Sequence, residues 1–466
     1  MSRMSNEGNN ALDDKVIALD QARPPPFTDE ALALRFAQRH AGDLRYVAAW
    51  SKWLTWDGRR WRFDDTLFAF NLARKICREA AAECNKHRVA TTIASAKTVA
   101  AVERLAKADR RLAATSDQWD ADLWALNTPQ GVVDLQTGNL RPHKPEDYMT
   151  KVTGIAPDRA CPIPVWRLFL DRVMGGDAEL IAFMQRLAGY ALTGSTREHA
   201  LAFLYGTGAN GKSTFLNAIT GCAGDYHRTA PIETFTASNS DRHPTDLAGL
   251  RGARLVTAIE TEEGRRWAES RIKALTGGDR VAARFMRQDF FEFVPQFKLV
   301  IAGNHKPGLR SVDEAMRRRF NLIPFTTTIP VDERDRDLDT KLKAEWPGIL
   351  AWMLQGCLDW QRIGLAPPQA VTAATESYLE SQDAIAAWID EQCDRDPNAW
   401  ERSTMLFGNW KAWAERSGEP VGDVKRFRDR LESRSVFHKR EAGTGRTGYQ
   451  GLRLQQAENG ESTWWK

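Results

Sequence analysis

The sequence predicts an α/β protein. Its centre is a three-layer domain on a largely parallel sheet, with an α+β, partly helical region before it and a winged helix-turn-helix pattern after it. Three observations predict this. Residues 199 to 330 alternate apolar strand-like runs (ALAFLY, RLVTAI, FKLVIAG) with helical segments. The preceding text is aromatic and turn-rich, then apolar at helical spacing. Near the end, two helical segments (STMLFGNWKAWAER and DVKRFRDRLESR) lead into FHKRE, the turn AGTGRTG and YQGLRL.

Length and composition narrow the classes. At 466 residues with 42% hydrophobic and 27% charged, the chain has room for about three domains. It is not disordered as a whole. No apolar run reaches the roughly 18 residues needed to span a bilayer, and the start, MSRMSNEGNNALDD, lacks a secretory signal. The cytoplasm, here of a bacterial host, is the expected compartment. Cys77, Cys84, Cys161, Cys222, Cys357 and Cys393 are scattered without a CxxC pair, so a zinc ribbon or disulfide framework is not expected. The overall charge is only +4, but Val421 to Arg453 holds nine Lys/Arg against four Asp/Glu. A basic C-terminal surface follows.

Taken in order, residues 1–28 read as a tail ending in Pro24, Pro25 and Pro26. Residues 29–163 read as an N-terminal domain. In it, Asp57-Gly58 turns a hairpin between Trp56 and Trp61, residues 66 to 112 form two helices, and WALNTPQGVVDLQTGNL forms short strands. Residues 164–198 form a second helical stretch, 331–370 a helical connector, and 371–466 the winged-helix region.

The chemistry starts at Gly206-Thr-Gly208-Ala-Asn210-Gly211-Lys212-Ser213-Thr214, which fits GxxxxGK[ST] between a strand and a helix. Glycines let backbone N–H groups converge on phosphate oxygens at a helix N-terminus. Lys212 is then placed to hold β and γ phosphates, and Ser213 to ligate Mg²⁺. Such a loop needs an acidic partner on a neighbouring strand. RLVTAI ends in Glu260-Thr-Glu262-Glu263; Glu260 is the natural metal-side residue and Glu262 the second choice for activating water, while Glu263 reads as solvated. Spacing alone does not assign the two roles. A third strand, KLVIAG, ends at Asn304, whose amide can bond the lytic water or the γ-phosphate. Arg317, Arg318 and Arg319 before NLIPF offer a cation for charge building up in phosphoryl transfer, or a plain basic corner.

As a set, GTGANGKST, RLVTAIETEE, IKALTGGDRVAARFMRQDFFEFVPQFKLVIAGNHKP and RRRFNLIPF resemble the superfamily 3 helicase part of phage, plasmid and poxvirus primase-helicases. The resemblance extends to the upstream domain (KWLTWDGRRW, LAGYALTG) and the C-terminal winged helix. It implies an AAA+-like P-loop core, ATP and Mg²⁺ as cofactors, and Asn304 as the sensor. It also implies that Arg319, with Arg318 as runner-up, reaches a neighbouring subunit's ATP in a ring, expected to be hexameric. Residues 164–198 would be the collar between subunits. The segments VAARFM and FFEFV would form a hairpin in the ring channel, with Arg287 at its tip and Arg284 and Lys273 nearby to contact DNA phosphates. On the winged helix, Arg426 and Arg430 with Lys439 and Arg440 are candidates for DNA; protein docking is the competing use.

The expected activity is therefore ATP-dependent unwinding during DNA replication in a phage or mobile element. The alternatives are an initiator or loader ATPase without processive unwinding, and a small-molecule P-loop kinase. The region before the P-loop is filled by the pre-motor domain, so primers are expected from a separate primase or polymerase.

Overall fold

The computed structural model describes residues 24–237, 245–260, 265–285, 289–309, 313–419, 421–432, 434, 436–440 and 445–455. The first element of the described residues is the helix Asp29–His40, whose first turn is capped by Thr28 Oγ1, accepting from Ala31 N at 3.3 Å. Strands β1 (Leu44–Val47), β2 (Lys52–Trp56) and β3 (Trp61–Phe63) form an antiparallel meander, and β4 (Ala113–Ala114) joins β1 in parallel. Trp56 pairs with Trp61 across the expected Asp57-Gly58 turn. Trp61 and Trp119 then meet edge to face at 5.7 Å in a small core of their own.

The stretch from 66 to 112 holds three helices, Phe68–Glu83, His87–Ile93 and Ala96–Ala106, where the sequence pattern gives two. Ser95 makes the extra boundary: its hydroxyl accepts from Thr98 N at 3.3 Å and starts a new helix inside the Ala-rich run. A second antiparallel unit follows in β5 (Ala125–Thr128), β6 (Gly131–Asp134) and β7 (Leu140–Arg141).

The central domain holds β8 (Leu201–Tyr205), β9 (His227–Thr229), β10 (Leu255–Glu260), the hairpin β11 (Val281–Ala283) and β12 (Phe291–Phe293), then β13 (Lys298–Gly303) and β14 (Phe320–Pro324). Five of these strands form one parallel sheet in the order β14-β8-β13-β10-β9. The apolar runs of β14, β8, β13 and β10 are buried on both faces, as parallel sheets require, while the edge strand β9 (His-Arg-Thr) is polar and partly exposed. Ala202, Leu204, Val300 and Ala302 face the helices Pro164–Val173, Ala178–Tyr190, Lys212–Ala223 and Leu338–Ile363. Leu201, Phe203, Leu299 and Ile301 face Trp267, Ile272, Leu275, Tyr378 and Leu379 on the other side.

The residues expected to form a collar between subunits thus lie largely in the chain's own core. Trp166, Phe169, Leu170, Phe183, Met184 and Leu187 are buried with the P-loop helix. Glu345 fixes one of these helices by accepting from Val165 N at 3.0 Å and Trp166 N at 2.8 Å, filling its N-terminus with negative charge. The helix Gln369–Ser381 also belongs to the central domain: Leu322 N donates to Thr375 Oγ1 at 2.9 Å, and Tyr378 is buried beside the sheet.

The last unit runs helix Ala384–Gln392, β15 (Cys393–Arg402), helices Ser403–Arg416 and Val424–Glu432, then β16 (Phe437–Arg440) and β17 (Thr447–Leu454). Its antiparallel sheet has the order β15-β17-β16. Among the described residues no helix is long and apolar enough to cross a membrane.

The N-terminal region is fastened to the end of the sheet opposite the phosphate loop. Arg254, just before β10, donates to Leu192 O, Asp122 O and Ala125 O, each at 2.8 Å. Lys298, which opens β13, is buried and donates to Thr193 O, Ser195 O and Gln296 O, and burial holds its ammonium well below the ordinary lysine range. Helix packing is equally close. A Cβ on Gly356 would lie 2.0 Å from Gln185 O, and one on Gly189 would lie 2.1 Å from Cys357 N. Gly356→Ala is therefore predicted to lower stability by about 1–3 kcal/mol through overpacking; urea denaturation measures it, and an unchanged midpoint would contradict the close approach.

Candidate nucleotide and nucleic-acid sites

The phosphate loop is built where β8 ends. Gly206 follows Tyr205 directly, and a Cβ there would sit 2.1 Å from Phe325 O, so the loop can pass β14 only as glycine. Gly211, at φ 84°, caps the helix Lys212–Ala223 in the left-handed region, and a Cβ on it would meet Val173 Cγ1 at 2.6 Å. Asn210 ties the loop down by donating to Phe325 O at 2.7 Å. Ile329 N adds a bond to Ala209 O at 2.8 Å.

Lys212 is buried, and its ammonium donates to Gly206 O at 2.7 Å, Asn210 Oδ1 at 3.1 Å and Asn304 Oδ1 at 3.2 Å. All three acceptors are neutral. Desolvation lowers the Lys212 pKa from its ordinary value of 10.5. Gly208, Ser213, Thr214, Ile259 and Asn304 line a pocket of about 350 Å³ over this ammonium, within the size range of small-ligand sites. Ser213 is exposed at the first turn of the helix, where N–H groups and the dipole favour an anion.

Sheet register brings the other strand ends to the same place. Gly303 pairs with Tyr205 on one side and with Glu260 on the other, so β8, β13 and β10 finish level with one another. Asn304, one residue past Gly303, reaches Lys212. The Glu260 backbone ends β10 two strands from the loop. Chain order reverses at β8, since the chain leaves it for the far edge and returns to its other side, and such switch points are where α/β sheets bind ligands. Glu262 and Glu263 fall outside the described residues.

The arginines separate by exposure. Arg319, the first choice for reaching a neighbour, is 7% exposed; its Nε donates to Thr276 Oγ1 at 3.2 Å and its Nη1 to Ala315 O at 2.7 Å. Arg317 and Arg318 are exposed. Lys273 is ion-paired to Asp313, the residue that caps the helix Glu314–Arg317.

The expected hairpin is β11–β12, with Ala283 opposite Phe291. Arg287 lies outside the described residues. Arg284 sits 4.8 Å above the ring of the exposed Phe290. A feature that the sequence pattern does not reveal joins this hairpin to the N-terminal domain. The Arg251 guanidinium lies 5.5 Å from the Trp50 ring and 5.3 Å from the Phe291 ring, and Nη2 donates to Ser116 O at 3.1 Å. In the C-terminal unit Arg426, Lys439 and Arg440 are exposed, while Arg430 is half-buried and desolvated beside Arg434 and Asp383.

Residues 33–175 match the family described as D5 N terminal like, and residues 204–319 match a family of unknown function, DUF5906. The chain is 25% identical over 320 residues to a presumptive helicase, L207/L206, of Acanthamoeba polyphaga mimivirus, covering 63% of this chain and 33% of that protein. It is 27% identical over 266 residues to another, 022R, of Frog virus 3 (isolate Goorha), covering 52% and 27%. The chain thus spans about a third of the length of the curated relatives it matches. Its fold resembles the apo structure of the NrS-1 C terminal region (305-718), with TM-score 0.52 and 10% identity over 91% of this chain and 99% of that one. The matches are thus to a D5 N terminal like domain and to presumptive viral helicases.

Because the acceptors of Lys212 among the described residues are neutral, bound phosphate should restore the proton that burial disfavours. Nucleotide affinity is predicted to fall with rising pH already below 10.5, with proton uptake on binding in that range. Calorimetry in buffers of different ionisation heat measures the uptake, and proton-neutral binding there would contradict it.

Proposed function

We propose that this chain is the motor of a superfamily 3 replicative DNA helicase of a phage or mobile element, working as a hexameric ring with an AAA+-like core. The observation that carries this reading is the convergence of three strand ends: the P-loop after β8, Asn304 after β13 and Glu260 at the end of β10. The strand order, with β13 between the loop strand and the acidic strand, supports the AAA+-like assignment.

In this reading the loop N–H groups and Lys212 hold the ATP phosphates. Ser213 and Glu260 would hold Mg²⁺, which supplies charge neutralisation on the transferring phosphoryl group. Glu260, or Glu262 beyond it, orients the attacking water, and Asn304 stands between that water and Lys212. A neighbouring subunit supplies the cation. Arg318 takes this role ahead of Arg319, whose guanidinium is committed inside its own chain. Subunit contact beside the pocket is supported by Leu168 and Val331, 72% and 76% exposed, which flank the elements packed on the P-loop. Hydrolysis then moves the β11–β12 hairpin against the DNA strand. The order of elements in the C-terminal unit supports a winged helix, with Arg426 and Arg440 on a DNA-facing side and Arg430 behind them.

Two experiments test this. Lys212→Ala should abolish strand displacement on a forked duplex; wild-type protein that hydrolyses ATP on DNA yet displaces nothing would favour an initiator or loader instead. Arg318→Ala should cut hydrolysis by about a thousandfold, and mixing it with Lys212→Ala subunits should restore turnover at mixed interfaces. Mixed rings without recovery would count against a shared site.

A further inference from the structure

We propose that the outer face of the C-terminal sheet is a binding platform for single-stranded nucleic acid, formed by Trp400, Phe437, Arg402 and Lys439. This face is separate from the nucleotide pocket, the hairpin and the helical side of the winged-helix unit. It needs no ATP hydrolysis.

Cross-strand register puts the four residues together. Trp400 on β15 and Phe437 on β16 both lie opposite Gln450 of the central strand β17, while Arg402 and Lys439 both lie opposite Gly448. Directly opposed residues share a face of the sheet. One row is therefore aromatic on both sides of β17, and the next is cationic on both sides. The other face is committed to the interior: Tyr449 is buried with Trp388, Trp410 and Phe427.

Local packing builds the platform. A Cβ on Gly448 would fall 2.4 Å from the Trp400 ring, so the glycine lets the indole lie flat across β17. The register shift between Asp396 and Trp400 sets the indole in that position. Phe437 is 60% exposed, a large apolar ring with no folding role to explain it. Lys439 Nζ donates to Gln450 Oε1 at 2.8 Å, and Gln450 Nε2 donates to Pro397 O at 3.0 Å. Thus the Lys439 contact is neutral, and Arg402 is exposed beside the indole.

The occupant follows from this chemistry. Two rings presented on a flat sheet with cations alongside match bases that stack and phosphates that follow them. A duplex keeps its base faces stacked on one another, and a broad sheet face cannot enter its grooves. The Trp400 indole crosses β17 and its Nε1 donates to Lys439 O on β16 at 3.4 Å, so it extends toward Phe437, and the two rings offer stacking faces to bases of an extended chain.

The test uses the full chain carrying Lys212→Ala, so that failure of the motor reading leaves it intact. Labelled oligothymidine is the probe, with a blunt duplex and polyglutamate as competitors. Phe437→Ala should weaken oligothymidine binding about tenfold or more, and Phe437→Trp should retain it, since stacking tolerates any large ring. Lys439→Ala should make the salt dependence shallower by about 0.7 in log–log slope. Ultraviolet cross-links should map to the peptides holding Trp400 or Phe437. Equal binding by wild type and Phe437→Ala, or cross-links confined to the hairpin around Phe290, would overturn the proposal. So would displacement by polyglutamate as effective as by oligothymidine, which would reassign the face to an acidic protein.

Discussion

A buried ammonium with three neutral neighbours organises the centre of this molecule. Lys212 is desolvated, and the acceptors it reaches among the described residues, Gly206 O, Asn210 Oδ1 and Asn304 Oδ1, carry no charge. A charge kept in that state is costly unless an anion completes it. The surrounding structure is what makes the arrangement affordable. Gly206 and Gly211 pass where no side chain fits, Asn210 is tied to β14, and β13 delivers Asn304 from an interior strand. Loop, strand end and helix N-terminus thus converge on an electropositive site that suits an anion, which is the chemistry of polyphosphate binding.

The opposite end of the sheet has a different task. Arg254 and Lys298 stand at the starts of β10 and β13, and their donors are spent on carbonyls from the N-terminal domain and the end of the helix Ala178–Tyr190. Strand β10, which carries Glu260 at one end, therefore holds the N-terminal domain at the other, while β13, which carries Asn304, holds the segment that follows the helix Ala178–Tyr190. Arg251 extends the connection, lying between Trp50 of that domain and Phe291 of the hairpin. Phe291 of the hairpin thus meets Trp50 of the N-terminal domain through the Arg251 guanidinium, which gives the hairpin a defined resting position. In the motor reading, a nucleotide-driven shift starts from it.

Much of this was legible in the residues themselves. The P-loop strand and helix, the RLVTAI and KLVIAG strands, and the Trp56–Trp61 hairpin are local patterns, and local patterns survive folding. Proximity was not legible in the same way. That Asn304 touches Lys212 depends on β13 lying beside β8, a long-range register absent from any window of sequence. Among three consecutive arginines, only the one that abuts β14 turns inward, so Arg319 and Arg318 differ through packing and not through composition. Strand β15 was missed because CDRDPNAWER is charged, contains Pro397 and breaks register after Asp396, all marks of a loop. The helix Gln369–Ser381 reads as part of the C-terminal unit by position, yet Thr375 and Tyr378 bind it to the central sheet.

The central claim is that the pocket over Lys212 receives ATP and is completed by a second copy of the chain. An image of the assembled particle with DNA and a non-hydrolysable ATP analogue tests it most directly. The account predicts analogue phosphates within hydrogen-bond reach of Lys212 and Asn304, with an Arg318 side chain entering from the adjacent copy. A nucleotide fully enclosed by one isolated chain, with no second chain at the pocket, would contradict it.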